Sequence, residues 1–332
     1  MNVHITGIGS GLPVRLVTNE ELAKKLDTTD EWIVSHTGIH ARRIAEPGES
    51  TATLATRAAQ MALSKAGVKP EELGLVIVAT TTADYGGFPS TACLVQRDIG
   101  ATQAGAFDLL AACTGFIYAL ETARGLMQND PRPALVIGAD CMSRVTDWSD
   151  RNTCVLFGDG AGAVVLQASD APGGIRHSIL RADGKGSQAL YREGGCRLPQ
   201  TSAMAPAYVQ MHGRAVFNFA VKAFEEIVRD LMARQGITLD GVRWIVPHQA
   251  NVRIIEAAAR RLDTGMERFY VNIGELANTS AATIPLALEQ MLREDKLQPG
   301  DTIILAGFGA GLTWGGSLVQ WNPPATAVPA GA

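Results

Sequence analysis

Short apolar runs alternate with longer amphipathic ones along this 332-residue chain. That alternation constrains the fold more than any other feature. The run Leu73-Gly-Leu-Val-Ile-Val-Ala-Thr80 is almost continuously apolar, as a strand covered on both faces must be. A helical pattern stands on each side of it, and strands separated by helices form a parallel sheet with helices packed on it. The predicted strands are Val3–Gly9 (closed by a Gly-Ser-Gly turn), Leu73–Thr80, Ala104–Leu110, Ala134–Gly138, Cys154–Gln167, Trp244–Pro247 and Thr302–Gly307. The predicted helices are Asn19–Leu26, Asp30–His36, Ser50–Ala66, Pro89–Gly100, Phe116–Met127, His212–Gln235, Val252–Leu262 and Ala281–Glu294. Thr18 and Glu21 form a capping-box pair at the start of the first of these.

The rhythm of the first half returns in the second. Phe157-Gly-Asp-Gly-Ala-Gly162 and Phe308-Gly-Ala-Gly311 each follow an apolar strand and lead into another. Two Gly-rich hairpins in equivalent places predict a duplicated α/β unit. The boundaries drawn from this are 1–172 and 173–322, with a Pro/Ala-rich tail, 323–332, expected to be disordered.

Composition narrows the function. A net charge of −4 gives no general attraction for nucleic acid, so an anionic partner would need a local basic patch. The N-terminus lacks a basic segment followed by a long apolar one, and no uncharged stretch is long enough for a membrane helix. A cytoplasmic protein without membrane contact is expected. Five irregularly spaced cysteines, with no C-x-x-C, argue against both a disulfide framework and a zinc site, so no metal is expected.

Three polar residues stand at predicted strand-to-helix turns: Cys113, His248 and Asn278. Such turns are expected to converge on one sheet edge, where α/β ligand sites lie. At a helix N-terminus Cys113 is expected to have a lowered pKa, because free N–H groups favour the thiolate. The small neighbours Ala111, Ala112, Thr114 and Gly115 would let a substrate carbonyl approach the backbone. A thiolate attacks a thioester and becomes acylated. The His248 Nε2–H and the Asn278 amide would donate to one enolate oxygen, each donor contributing roughly 3 kcal/mol. Backbone N–H groups in Gly307–Gly311 would serve the adduct at Cys113. Taken singly, each residue has a plainer reading. Cys93, Cys141, Cys154 and Cys196 read as small buried hydrophobes, His4, His40, His177 and His212 as structural histidines, and Asn278 alone as a helix cap. The joint pattern carries the argument.

Several motifs point further. Ala-Ala-Cys113-Thr-Gly-Phe, Val-Pro-His248-Gln-Ala-Asn, Asn278-Thr-Ser-Ala-Ala and Phe308-Gly-Ala-Gly-Leu-Thr-Trp resemble those of β-ketoacyl-[acyl-carrier-protein] synthase III, in the same order and over roughly residues 3–321. The resemblance implies a thiolase-like α-β-α-β-α fold of two pseudo-symmetric halves, assembled as a homodimer. It implies an acyltransferase with no cofactor beyond its substrates. An acyl-CoA primer, usually acetyl-CoA, acylates Cys113. Malonyl on acyl carrier protein then loses CO2, and the enolate held by His248 and Asn278 attacks the acyl-Cys. The product is a 3-oxoacyl-ACP, the first condensation of type II fatty-acid synthesis.

Further roles follow from the same resemblance. Trp32, His36 and Arg151 match CoA-binding positions, and Phe88 a residue reaching the partner's acyl pocket. Phe308 matches the phenylalanine beside the nucleophile, and Ala310 an oxyanion-hole donor acting with the Cys113 N–H. Arg253, Arg260 and Arg261 match carrier-protein docking positions. The chain departs from the family at His36 (commonly Arg), at Ala277 and Ala310 (commonly Gly) and over 191–209. A specialised acyltransferase with another primer, a non-catalytic carrier-protein-binding subunit and a cysteine hydrolase are the competing readings.

Overall fold

The computed structural model describes residues 1–193 and 208–323. Cys196, most of the 191–209 segment and the tail beyond Pro323 lie outside them. Two sheets dominate. The first has the order β1-β7-β6-β4-β5: β1 (Asn2–Gly11), β4 (Leu75–Ala79), β5 (Gly105–Leu109), β6 (Ala134–Cys141) and β7 (Asp159–Ser169). The second has the order β11-β12-β13-β8: β8 (Gly174–Ala182), β11 (Trp244–Pro247), β12 (Thr302–Gly309) and β13 (Thr313–Gln320). Two ribbons complete the strands, β2 (Leu16–Thr18) with β3 (Ala41–Arg43), and β9 (Leu190–Arg192) with β10 (Val209–Met211).

The sheets are related element by element. In each, an outer strand pairs antiparallel with one arm of an antiparallel pair, whose other arm runs parallel to a central strand. Beyond β4 lies β5; beyond β11 the matching strand has shrunk to one parallel bridge, Ile245 to Phe269.

The helices are α1 (Asn19–Ala23), α2 (Asp30–Thr37), α3 (Thr51–Ala66), α4 (Thr91–Ile99), α5 (Gly115–Leu126), α6 (Gly213–Gln235), α7 (Val252–Arg261), α8 (Ile273–Leu276) and α9 (Thr283–Arg293). α3 and α4 cover the outer face of the first sheet through Leu54, Ala58, Ala62 and Val95. α6 and α7 cover the second through Phe224, Ile227 and Ile255. α5 and α9 lie between the sheets, where Phe116, Leu120, Ile284 and Met291 share one core with Ile77, Val136, Val246 and Leu305. The layers are therefore α-β-α-β-α. β4 is apolar throughout because helices bury both its faces.

Several local expectations change. β1 runs on to Gly11, so Gly7, Gly9 and Gly11 lie within a strand, not at a turn closing it. A side chain at any of them would strike a carbonyl of α3: Ala62, Ala58 and Leu54 in turn. The Gly runs are not equivalent hairpins. Phe157–Gly162 opens β7 after a long connection, whereas Phe308–Gly311 closes the tight β12–β13 turn. The duplication is in topology, not in those motifs. Thr18 caps α1, accepting from the Glu21 N–H, but α1 stops at Ala23. Cys93 is exposed, and Cys141 and Cys154 are buried; all are free thiols.

Candidate active site

Cys113 follows β5 in the short 3-10 turn Ala112–Thr114 that opens α5. Ala112 takes a positive φ of 47°, a conformation L side chains rarely adopt, and this sharp turn faces the thiol towards the second half. There β12 ends directly against it. A Cβ on Gly309 would sit 2.9 Å from the Cys113 nitrogen, so this approach requires glycine. The Thr114 hydroxyl bonds that of Thr313 at 3.0 Å, tying the turn to β13. Not all the small residues around Cys113 serve substrate access. Thr114 and Gly115 are buried, Gly115 against Ala79, and serve packing. Ala111 and Ala112 do line a cavity.

His248 follows β11, and Asn278 follows the shrunken strand position after Phe269. Both belong to the second half, so the three residues meet between two sheets and not along one sheet edge. The His248 N–H donates to the Ala306 carbonyl at 2.7 Å, and its ring meets Phe308 edge-on at 5.1 Å. Asn278 bridges to Phe157 of the first half, its N–H donating to the Leu156 carbonyl at 2.9 Å. Its side-chain Oδ1 accepts from the Ser280 N–H at 2.9 Å. That leaves Nδ2 as the donor available to a substrate.

Cys113 lies between two cavities. One, of about 290 Å³, is lined by Trp32, His36, His248, Asn278, Phe308 and Gly309. The other, of about 400 Å³, is walled by groups such as Leu110, Met142, Val145, Val209 and Ala310. Together they form a passage from Trp32 to the thiol and an apolar space behind it. Ala310 is absent from the positive-φ residues, so alanine fits there without strain. Ala277, before Asn278, does sit at φ 59°, a conformation that favours glycine.

Burial sets the electrostatics. It pushes the Cys113 thiol up to about 12, with the Asp140 charge acting the same way and the Ser280 hydroxyl against both. The lowered pKa expected of a helix-terminal thiol is thus overturned, because desolvation of the thiolate outweighs the helix-end N–H groups. Burial likewise pushes His248 down to about 3, so the imidazole is neutral at pH 7.

At the mouth, His36 stacks on Trp32 with centroids 4.4 Å apart, and its Nδ1 donates to the Trp32 carbonyl at 2.7 Å. The Arg151 guanidinium carbon lies 5.2 Å from the centre of the same indole. Arg253, Arg260 and Arg261 are exposed on α7, whose Ile254, Ile255, Ala258 and Leu262 are buried as their spacing predicts. The Arg253 Nε donates to the Ser35 carbonyl at 3.1 Å, and Arg261 pairs with Glu225. Phe88 stands apart, 92% exposed and lining neither cavity of its own chain.

Three residues escaped the reading of the sequence. Ser280 and Thr283 stand in the quoted Asn278 motif and just after it, where nothing marks their contacts. Asp140, a lone charge in the apolar strand Ala134–Cys141, carried a visible signal. Fully buried, its Oδ1 accepts from the Thr81 N–H at 2.7 Å and from the hydroxyls of Thr80, Thr81 and Thr82, each at 3.0 Å. Its Oδ2 accepts from the Ala281 N–H at 3.3 Å, fastening the Ser280 turn to the first sheet.

The layered pair of sheets with a thiol between them is the thiolase-like fold. The family description 3-oxoacyl-[acyl-carrier-protein] synthase III matches residues 107–184, and that of its C-terminal part residues 232–321. A β-ketoacyl-[acyl-carrier-protein] synthase III of Clostridium beijerinckii is 46% identical over 324 residues, covering 96% of this chain and 99% of that one. The crystal structure of the Aquifex aeolicus 3-oxoacyl-[acyl-carrier-protein] synthase III superposes with a TM-score of 0.90 at 44% identity, covering 96% of this chain and all of that one. A priming β-ketosynthase from a polyketide pathway superposes at 0.91 with 35% identity, each chain covered to 97%. The chain belongs to the β-ketoacyl-[acyl-carrier-protein] synthase III family, a family of condensing acyltransferases.

Proposed function

We propose that this protein condenses an acyl-CoA primer with malonyl-ACP, releasing CO2 and CoA and giving the 3-oxoacyl-ACP that begins fatty-acid synthesis in the cytoplasm. One observation carries the reading: a buried thiol, a neutral imidazole and a carboxamide donor line one narrow cavity, with Trp32 and His36 at its mouth. In it Cys113 takes the acyl group, and the Cys113 and Ala310 N–H groups hold the adduct oxygen. His248 and Asn278 stabilise the enolate left by decarboxylation, in surroundings where each donor counts for more than in water. Trp32, His36 and Arg151 bind the CoA nucleotide. Arg253 and Arg260 receive the acidic carrier protein, with Arg261 contributing less because Glu225 already neutralises it.

Acetyl is the expected primer, yet the space behind Cys113 exceeds ten water volumes of ~30 Å³. In a homodimer the partner copy of Phe88 enters that space and shortens it. Intact-mass measurement of the acylated protein over a panel of acyl-CoAs tests this. Fastest acylation by acetyl-CoA supports the housekeeping primer, and a preference for long or aromatic acyl groups overturns it.

The division of roles is tested separately. Cys113→Ala should not become acylated from labelled acetyl-CoA. His248→Ala and Asn278→Ala should still become acylated, while CO2 release from malonyl-ACP falls by roughly 100-fold or more. Undiminished CO2 release in both variants would remove His248 and Asn278 from the mechanism.

A further inference from the structure

The hydrogen bonds around His248 determine which ring nitrogen carries its proton. Nδ1 lies 2.8 Å from the Thr283 hydroxyl oxygen. Thr283 has one hydroxyl proton, which it donates to the Ser280 carbonyl at 3.1 Å. Towards His248, Thr283 can therefore only accept, and Nδ1 must be the N–H. The Ser280 carbonyl faces the same ring and favours its protonation. A bare Nδ1 would set a lone pair against that carbonyl and draw the Thr283 hydroxyl proton away from it, leaving the oxygen only the Thr283 backbone N–H. The alternative arrangement therefore loses a hydrogen bond at a buried site.

We infer that Thr283, with the Ser280 carbonyl, is a positioning residue that holds His248 as its Nδ1–H tautomer and turns a bare Nε2 to the cavity. The inference rests on the decarboxylation role proposed above and corrects one part of it: in the resting protein Nε2 accepts and does not donate. His248 becomes an enolate donor only after it takes up a proton, and the reaction supplies one. As the bond from Cys113 Sγ to the acyl carbon forms and the carbon–sulfur bond to CoA breaks, the Sγ proton passes to Nε2. CoA leaves as a thiolate and is protonated by solvent. When malonyl-ACP loses CO2, the electron pair of the broken carbon–carbon bond moves onto the thioester oxygen, which Nε2–H and the Asn278 amide hold. The enolate carbon then attacks the acyl carbon, the bond to Sγ breaks, and Sγ recovers the proton from Nε2. Atoms and charge balance over the cycle. Ser280 joins the participants: its hydroxyl accepts from Cys113 Sγ at 3.5 Å, its N–H orients Asn278, and its carbonyl serves Thr283.

The test is ¹⁵N NMR of the full-length protein labelled at histidine, with His248→Ala to assign the signals. Nδ1 should resonate as the N–H nitrogen and Nε2 as the bare one in the resting protein at pH 7. The reverse pattern overturns the inference, whatever the activity of any variant. Thr283→Val should mix the two tautomers and slow decarboxylation by roughly 10- to 100-fold, and Thr283→Ser, which keeps the hydroxyl, should restore both. Should Thr283→Val fail to fold, the nitrogen signals of the unaltered protein decide alone. Acylation should slow by about tenfold in His248→Ala and not in Asn278→Ala; equal rates in the two would remove the proton transfer from Cys113. Loss of the decarboxylation role itself would show differently, as full CO2 release by His248→Ala with the tautomer intact.

Discussion

At the scale of single residues, the reactive groups are held in their neutral forms. Cys113 is a thiol at pH 7 because its surroundings withhold the water a thiolate needs. Alkylation by iodoacetamide should therefore keep rising with pH beyond the ~8.5 of a free thiol. A rate already at its plateau at pH 7 would show that the start of α5 outweighs burial. His248 gives a prediction about stability. Its folded pKa lies near 3, while the unfolded chain takes up that proton near the ordinary value of 6.5. As pH falls between these values the unfolded state binds a proton that the folded state refuses. Stability should then drop by up to roughly 1.4 kcal/mol per pH unit, and it is fully present above the unfolded value. Urea unfolding of His248→Gln at several pH values should show a flatter acid limb; an unchanged limb would place the acid sensitivity elsewhere. The identity of these residues could be read from the chain, but their protonation could not. Burial depends on what the other half of the molecule places around them.

At the scale of elements, β1 and α3 show how close contact depends on glycine. Gly7, Gly9 and Gly11 repeat every second residue along one face of β1. They meet the carbonyls of Ala62, Ala58 and Leu54, which repeat every fourth residue along α3. The strand and helix periods nearly match in length, so the elements interlock over three contacts. Gly9→Ala should cost about 2–3 kcal/mol in urea unfolding, because helix backbone cannot move aside as a side chain would. A loss below about 0.5 kcal/mol would mean that α3 is free to shift. The Gly-x-Gly-x-Gly pattern was visible as a sequence, but it suggested a turn, since glycine marks turns and close approaches alike. Amphipathic α7 was legible in full, because its buried Ile254, Ile255 and Ala258 follow the helical period. The start of α9 was not. Ser280 takes a φ of 52°, a conformation imposed by what the turn must reach, not by a preference of serine.

At the scale of the whole molecule, β5 is an edge strand with one side unpaired among the described residues; Phe107 within it and Leu110 just after it are exposed, and Phe88 is 92% exposed. Open edges beside apolar groups are sites of association. A homodimer of the kind proposed above would cover this edge, and sedimentation should then show a dimer that Phe88→Asp weakens. A monomer at micromolar concentration would remove the partner's Phe88 from the acyl pocket. Among the described residues no helix is long and apolar enough to cross a membrane, and no group of three His, Cys, Asp or Glu is placed to hold a metal ion. The sequence by itself determined the alternating elements and the three residues able to carry acyl transfer, which rest on local periodicity and on side-chain chemistry. The five layers followed only from the resemblance to a known family. Only the tertiary structure decided how they work together. Packing the halves face to face brings Cys113 from the first sheet to His248 and Asn278 of the second, withdraws water from both titrating groups and, through Ser280 and Thr283, selects the nitrogen of His248 that meets the substrate.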